Sequence, residues 1–119
     1  LKNLFNFHKK NKKISTMTIV HPPARFGEVE YENRLIKSFK EKPQLQKGWI
    51  NGGYFVFEPN FFKILNNKNI MLEREPIQKL VKKKQLAVFK HNSFWYCMDN
   101  LRDKEILEKL NKHKIPPWE

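Results

Sequence analysis

Cysteine is almost absent from this 119-residue chain, Cys97 being the single one. An intramolecular disulfide and a cysteine-based zinc site are therefore excluded, and a reducing cytoplasm is the expected compartment. No run approaches the roughly 20 consecutive apolar residues that span a bilayer as a helix, so no membrane role is expected. No signal-peptide pattern opens the chain. Internal repeats and low-complexity segments are also lacking. Acidic residues are few, 12 Asp and Glu against 24 Lys and Arg, which leaves a formal net charge of +12. Such a surplus favours anionic partners, with nucleic acid the first to weigh and phosphorylated small molecules the next. The lysines, however, are spread over the whole length. The densest groups, Lys9–Lys13 and Lys82–Lys84, fall where helices are expected to end, and cations are favourable there in any protein. A solvated, lysine-rich surface is preferred to a dedicated nucleic-acid stripe.

What is present points to a folded domain. The chain is 39% hydrophobic and 30% charged, with ten Phe, three Trp and three Tyr to build a core, and is thus set apart from disordered sequences. Residues 2–12 show helical spacing through Leu4, Phe7 and His8. Ser15–Val20 is β-branched and alternates, Met17 and Ile19 on one face and Thr16, Thr18 and Val20 on the other, so a strand is expected. His21-Pro22-Pro23 stops it. Residues 26–31 and 35–40 read as a hairpin turning at Glu32-Asn33, with Leu35, Lys37 and Phe39 on one side. Residues 49–58 are apolar enough to predict a strand covered on both faces in the middle of an α/β sheet. Pro59 and Glu75-Pro76 open two helices, Leu86–Lys90 is a strand, and Asn100 caps a last helix with Asp103 in the place of a capping-box acid. An α/β architecture with a mixed sheet follows, the hairpin supplying the antiparallel pair.

Four clusters carry residue types that packing alone does not require. Pro22–Gly27 ends on a glycine at a strand start, where the backbone can approach a ligand closely, although for this cluster alone a simple turn is the preferred explanation. Phe39–Pro43 joins the carboxylate of Glu41, able to bind hydroxyls, to the compact charge of Lys42, able to bind phosphate; a solvated surface is the alternative. Asn51 stands beside Gly52 and Gly53, an amide next to exposed backbone, which can read sugar hydroxyls or can mark no more than a strand bulge. Asp99 precedes a helix N-terminus, where a carboxylate complements the dipole or serves as a hard oxygen ligand for Mg²⁺.

Taken in this order, the segments PPARFGE, FKEKPQ, GWINGGYFVFEP, EREPIQKL and FWYCMDNLRDK closely resemble the glucose-1-phosphate cytidylyltransferases, within the sugar-phosphate nucleotidyltransferases. The likeness runs from about Ser15 to Trp118. It implies the C-terminal part of a Rossmann-like nucleotidyltransferase fold, and transfer of CMP from CTP to α-D-glucose 1-phosphate, giving CDP-glucose and pyrophosphate for polysaccharide (O-antigen) synthesis. It further implies that Lys42 grips the sugar's phosphate, that Glu41 orients its hydroxyls, and that Gly27, Asn51 and Gly52 line the sugar pocket. Asp99 takes the place of the second of two aspartates holding Mg²⁺, and Arg25, Glu73 and Arg74 are weaker candidates. A homo-oligomer is expected for the complete enzyme.

The glycine-rich, triphosphate-binding loop and the first metal aspartate of that family are not found in the sequence, and the usual threonine after the motif's aspartate is Asn100. With the first residue being Leu1, the expectation is that residues 1–119 form the sugar-phosphate-binding portion without the nucleotide-binding half, inactive alone. Two alternatives remain: a nucleotidyltransferase using another nucleoside triphosphate, and a small basic nucleic-acid-binding module in which aromatic residues interleave with lysine.

Overall fold

The computed structural model describes residues 1–23, 28–40, 48–65 and 69–118. The chain divides into two compact units, the first made of Leu1–Val20 and Asn51–His91, the second of His21–Ile50 and Asn92–Glu119.

In the first unit, helix α1 (Lys2–Asn11) leads into strand β1 (Ser15–Val20), and strand β4 (Ile50–Phe57) is followed by a 3₁₀ turn at Pro59–Phe61 and the short helix α2 (Phe62–Leu65). Helix α3 (Glu75–Lys82) and strand β5 (Leu86–His91) complete it. The sheet order is β4-β1-β5. Strands β1 and β5 are parallel, in register from Ser15 opposite Leu86 to Val20 opposite His91. At the other side of β1, the Ser15 hydroxyl donates to the Val56 carbonyl at 3.0 Å, the Glu58 amide donates to Ile14 at 2.8 Å, and Gly52 lies against Val20. The start of β1 thus meets the end of β4, so these two strands run in opposite directions. The sheet is mixed, as expected, but its antiparallel member is β4 and not the hairpin. Among the described residues β4 has a sheet neighbour on one side only, so it is an edge and not the predicted middle strand.

The period-2 alternation of β1 explains why it is the strand buried on both sides. Thr16 faces His8 of α1, and on the same side Phe89 of β5 meets Phe7 of α1 edge-on, with ring centroids 5.4 Å apart. Met17, Phe55, Phe57 and Leu86 turn to the opposite side, against a core of Phe61, Ile64, Ile77 and Leu80. The apolar run in β4 serves this core through its odd-numbered aromatics, and Phe57 stacks on Phe61 at 4.3 Å. The layers are therefore α1, sheet, then α2 with α3. Burying one helix stripe against each sheet face is the usual way such elements remove apolar surface from water.

In the second unit, β2 (Glu28–Glu32) and β3 (Leu35–Lys40) form a separate two-stranded antiparallel sheet. The turn falls on Asn33 and Arg34, one residue later than predicted, with φ of 48° and 67°. Positive φ at both central residues matches the right-handed twist of a tight hairpin. A register shift between Glu30 and Tyr31 sets Ser38 opposite Glu30 and Ile36 opposite Tyr31. Lys37 has no residue opposite it in this register, and such an extra residue interrupts the alternation that the sequence predicts for Leu35, Lys37 and Phe39. Helix α4 (Leu101–Asn111) ends the regular structure. No helix among the described residues is long and apolar enough to cross a membrane.

Candidate functional site

The segment that carries Asp99 is organised by aromatic contacts and by one buried acid. After β5 the chain runs through Phe94, Trp95 and Tyr96 before reaching Asp99 and the start of α4. Phe94 stacks with Tyr96 at 6.4 Å and packs on Trp118 at 5.7 Å, so the C-terminal tail helps to hold this stretch. Asn100 is extended and its side chain accepts the backbone N–H of Asp103 at 3.0 Å, which is the predicted helix cap. The carboxylate of Asp103 accepts the Tyr96 hydroxyl at 3.3 Å through Oδ1 and the backbone N–H of Asp99 at 3.2 Å through Oδ2. Asp99 itself is exposed. It is thus displayed from a tied loop at a helix N-terminus, where the dipole favours negative charge.

Beside this segment, residues 92–96 line a cleft of about 360 Å³ with His21 and Pro23 on its other wall. His21 directs a ring N–H, Nδ1, to the Gly48 carbonyl at 2.9 Å, and its ring lies on Trp49 with centroids 3.7 Å apart and planes tilted by 38°. The wall is aromatic and polar at once, the combination that suits a sugar or a base ring. From the sequence, His21 reads only as part of a strand stop. Its one sequence signal was a polar aromatic residue placed immediately before Pro22-Pro23.

The glycine pair of the first unit has a packing explanation as well as a binding one. Asn51 Oδ1 accepts the Gly53 N–H at 2.9 Å, so one of its two lone pairs holds a local turn. Gly53 has φ of +81°, which residues with a Cβ rarely adopt. At Gly52 an added Cβ would stand 2.9 Å from Cγ1 of Val20 and 3.3 Å from the Thr18 carbonyl. Val20 is buried and stiff at χ1, so the clash has no easy escape. Gly52→Ala is therefore expected to cost about 1–3 kcal/mol of folding stability, read as a lowered midpoint in urea. Unchanged stability would count against this packing role.

Asn51 and Gly52 thus belong to the first unit and Asp99 to the second. Glu73 and Arg74 precede α3 and are exposed, with the Arg74 carbonyl accepting from Gln78 at 3.1 Å. Gly27, Glu41 and Lys42, together with Arg25, lie outside the described residues.

Among the described residues no group of three or more His, Cys, Asp or Glu could hold a metal ion by itself. An exposed carboxylate at Asp99 nevertheless fits Mg²⁺, which is commonly bound through one or two carboxylates plus substrate phosphates.

The family model described as nucleotidyl transferase matches residues 1–99. The chain is 38% identical over 118 residues to the glucose-1-phosphate cytidylyltransferase of Salmonella typhi, covering 99% of this chain and 46% of that protein. It is 32% identical over 106 residues to the mannose-1-phosphate guanylyltransferase catalytic subunit beta of Drosophila melanogaster, covering 86% of this chain and 29% of that protein. A crystal structure described as a glucose-1-phosphate thymidylyltransferase of Bacillus anthracis, in complex with sucrose, superposes with a TM-score of 0.57 at 15% identity, over 88% of this chain and 46% of that one. That likeness speaks for the fold alone. The chain spans about half the length of the cytidylyltransferase it matches. With its mixed α/β fold and a family match over residues 1–99, the chain belongs to the nucleotidyl transferase family.

Proposed function

We propose that this chain supplies the sugar-phosphate and metal side of a glucose-1-phosphate cytidylyltransferase. The observation that carries the reading is the 38% identity to the Salmonella typhi cytidylyltransferase, which extends over 99% of the chain. In the reaction, a phosphate oxygen of α-D-glucose 1-phosphate attacks the α-phosphorus of CTP. The bond from that phosphorus to the bridging oxygen breaks, and pyrophosphate leaves. No covalent enzyme intermediate is required, so positioning and charge neutralisation provide the rate enhancement.

The chain's own residues divide that work. Lys42 binds the sugar's phosphate and Glu41 orients its hydroxyls, with Gly27, Asn51 and Gly52 lining the pocket. Asp99 is the carboxylate that would hold Mg²⁺. When bound, the ion neutralises phosphate charge during the transfer. A cytoplasmic homo-oligomer in its complete form belongs to the same proposal. The Drosophila guanylyltransferase, 32% identical over 106 residues, favours a second reading in which the base is not cytosine.

Assayed within the complete polypeptide of its gene, the protein is expected to release pyrophosphate from CTP and glucose 1-phosphate in preference to UTP, dTTP or GTP. Asp99→Asn should lower that rate by about 100-fold. Preference for another triphosphate would replace the cytidylyl reading, and loss of less than about threefold would remove Asp99 from the site. The 119-residue chain alone is expected to form no CDP-glucose, and its formation would contradict the division of labour. Tight binding of single-stranded oligonucleotides, weakening steeply with salt, would favour the nucleic-acid-binding module instead.

A further inference from the structure

Asp103 is the acidic side chain that the structure buries, at 3% exposure among the described residues. A carboxylate removed from water is costly unless donors surround it, so its partners indicate what the burial achieves. A simple capping box would use this acid to accept the N–H of the cap residue, Asn100. Asp103 instead reaches past the cap to the N–H of Asp99 at 3.2 Å, and its second oxygen takes the Tyr96 hydroxyl at 3.3 Å. Meanwhile Asn100 already accepts the Asp103 N–H at 3.0 Å. The helix start is served by Asn100. The carboxylate of Asp103 ties down the backbone of Asp99 itself and the chain leading into it, while the Asp99 side chain stays exposed.

A loop held in this way orders its displayed carboxylate before any ligand arrives. The entropy of fixing those residues then falls on folding and not on binding. Groups that orient a metal ligand through hydrogen bonds commonly change metal affinity by about 10–100-fold when removed. We infer that Asp103 is a positioning residue, whose buried carboxylate holds the Asp99 loop ready for a divalent cation shared with the sugar phosphate. This rests on the proposed role of Asp99. Tyr96 is the second half of the same device, since its hydroxyl loads the other oxygen of the carboxylate.

The test is paramagnetic broadening by Mn²⁺, followed in the ¹⁵N-labelled chain with glucose 1-phosphate present. Amides adjoining Asp99 are expected to broaden first, and Asp99→Asn should abolish that local effect. Asp103→Ala is expected to need about tenfold more Mn²⁺ for half-broadening. Asp103→Asn should stay within about twofold, because its amide oxygen can accept from Asp99 while its NH₂ donates to Tyr96. Amides of β1 and β5 report whether the fold survives. Equal Mn²⁺ midpoints for the wild type and Asp103→Ala would overturn the inference while leaving Asp99 as the metal ligand. Broadening that persists in Asp99→Asn would overturn the reading of Asp99 itself. Should Asp103→Ala lose its dispersed spectrum, Tyr96→Phe decides: a raised midpoint supports the inference, and an unchanged one overturns it.

Discussion

Leu80→Ala is expected to lower folding stability by about 2–5 kcal/mol, the cost of lost apolar contact plus the cavity left behind. Leu80 is 0% exposed and sits among Phe61, Ile64 and Ile77, with Leu86 and Met17 packed against the same cluster. The ring of Phe61 and the β-branched Ile64 and Ile77 are stiff neighbours that limit collapse into the vacancy, while Met17 can fill part of it. Small domains are stable by only about 5–15 kcal/mol, and a loss of this size corresponds to a fall in melting temperature of roughly 10–20 °C. Thermal unfolding followed by circular dichroism reads it directly. Val81, the next residue on α3, is half-exposed, and Val81→Ala should change stability by less than about 1 kcal/mol. If the two substitutions cost the same, the core does not lie where the structure puts it.

The second large effect is expected at His8. Its side chain is 2% exposed, with Nδ1 2.8 Å from Thr16 Oγ1 and Nε2 3.0 Å from Glu58 Oε1. A carboxylate can only accept, so Nε2–H donates to Glu58. In the neutral ring the Thr16 hydroxyl then donates to Nδ1. One imidazole thus links α1, β1 and the residue that follows β4. Glu58 is half-exposed and can turn to water when the ring is removed, so its loss counts for little. Thr16 is fully buried and cannot. His8→Ala is therefore expected to cost about 2–4 kcal/mol, from the cavity together with the stranded hydroxyl. Pairing it with Thr16→Val separates the two contributions. In the Thr16→Val background the cost should shrink by about 1 kcal/mol, because no hydroxyl is then left without a partner. A cost that stays the same would place the whole effect in the cavity.

Much of the local structure was legible from short-range rules. The bounds of α1 and β1, the helix-opening prolines at 59 and 76, and the Asn100 cap all agree with the structure. Each depends on residues within about one helical turn, where capping, proline geometry and alternation act. The hairpin was readable too, but its bulge was not. A bulge is set by how the two strands meet, and the alternation of either strand alone does not mark where the extra residue falls. The position of β4 was misjudged for a related reason. Apolar residues on both faces of a strand suggest two-sided cover, yet Ile50 and Tyr54 of β4 are exposed and Phe55, Val56 and Phe57 are only partly buried.

The site divides along the same line. Asn51 beside two glycines reads from sequence as an amide next to exposed backbone or as a strand bulge, and only the fold adds that Val20 and the Thr18 carbonyl occupy the space a Cβ on Gly52 would need. Its spacing marks Asp103 as a capping acid, and its reach to Tyr96 and Asp99 follows from the folded path of the loop and not from that spacing alone.

By itself, then, the sequence determined the element types, the family resemblance and the presence of Asp99 at a helix start, because these rest on residue identity and near neighbours. Only the tertiary structure decided that His8 joins Thr16 to Glu58, a residue 50 positions away. It likewise decided that Ser15 hydroxyl reaches Val56 across 41 positions, and that Asp103 turns inward to tie the Asp99 loop. Contacts of this kind depend on which strands become neighbours, and that choice is made by burying apolar surface over the whole unit, a sum that no local window contains.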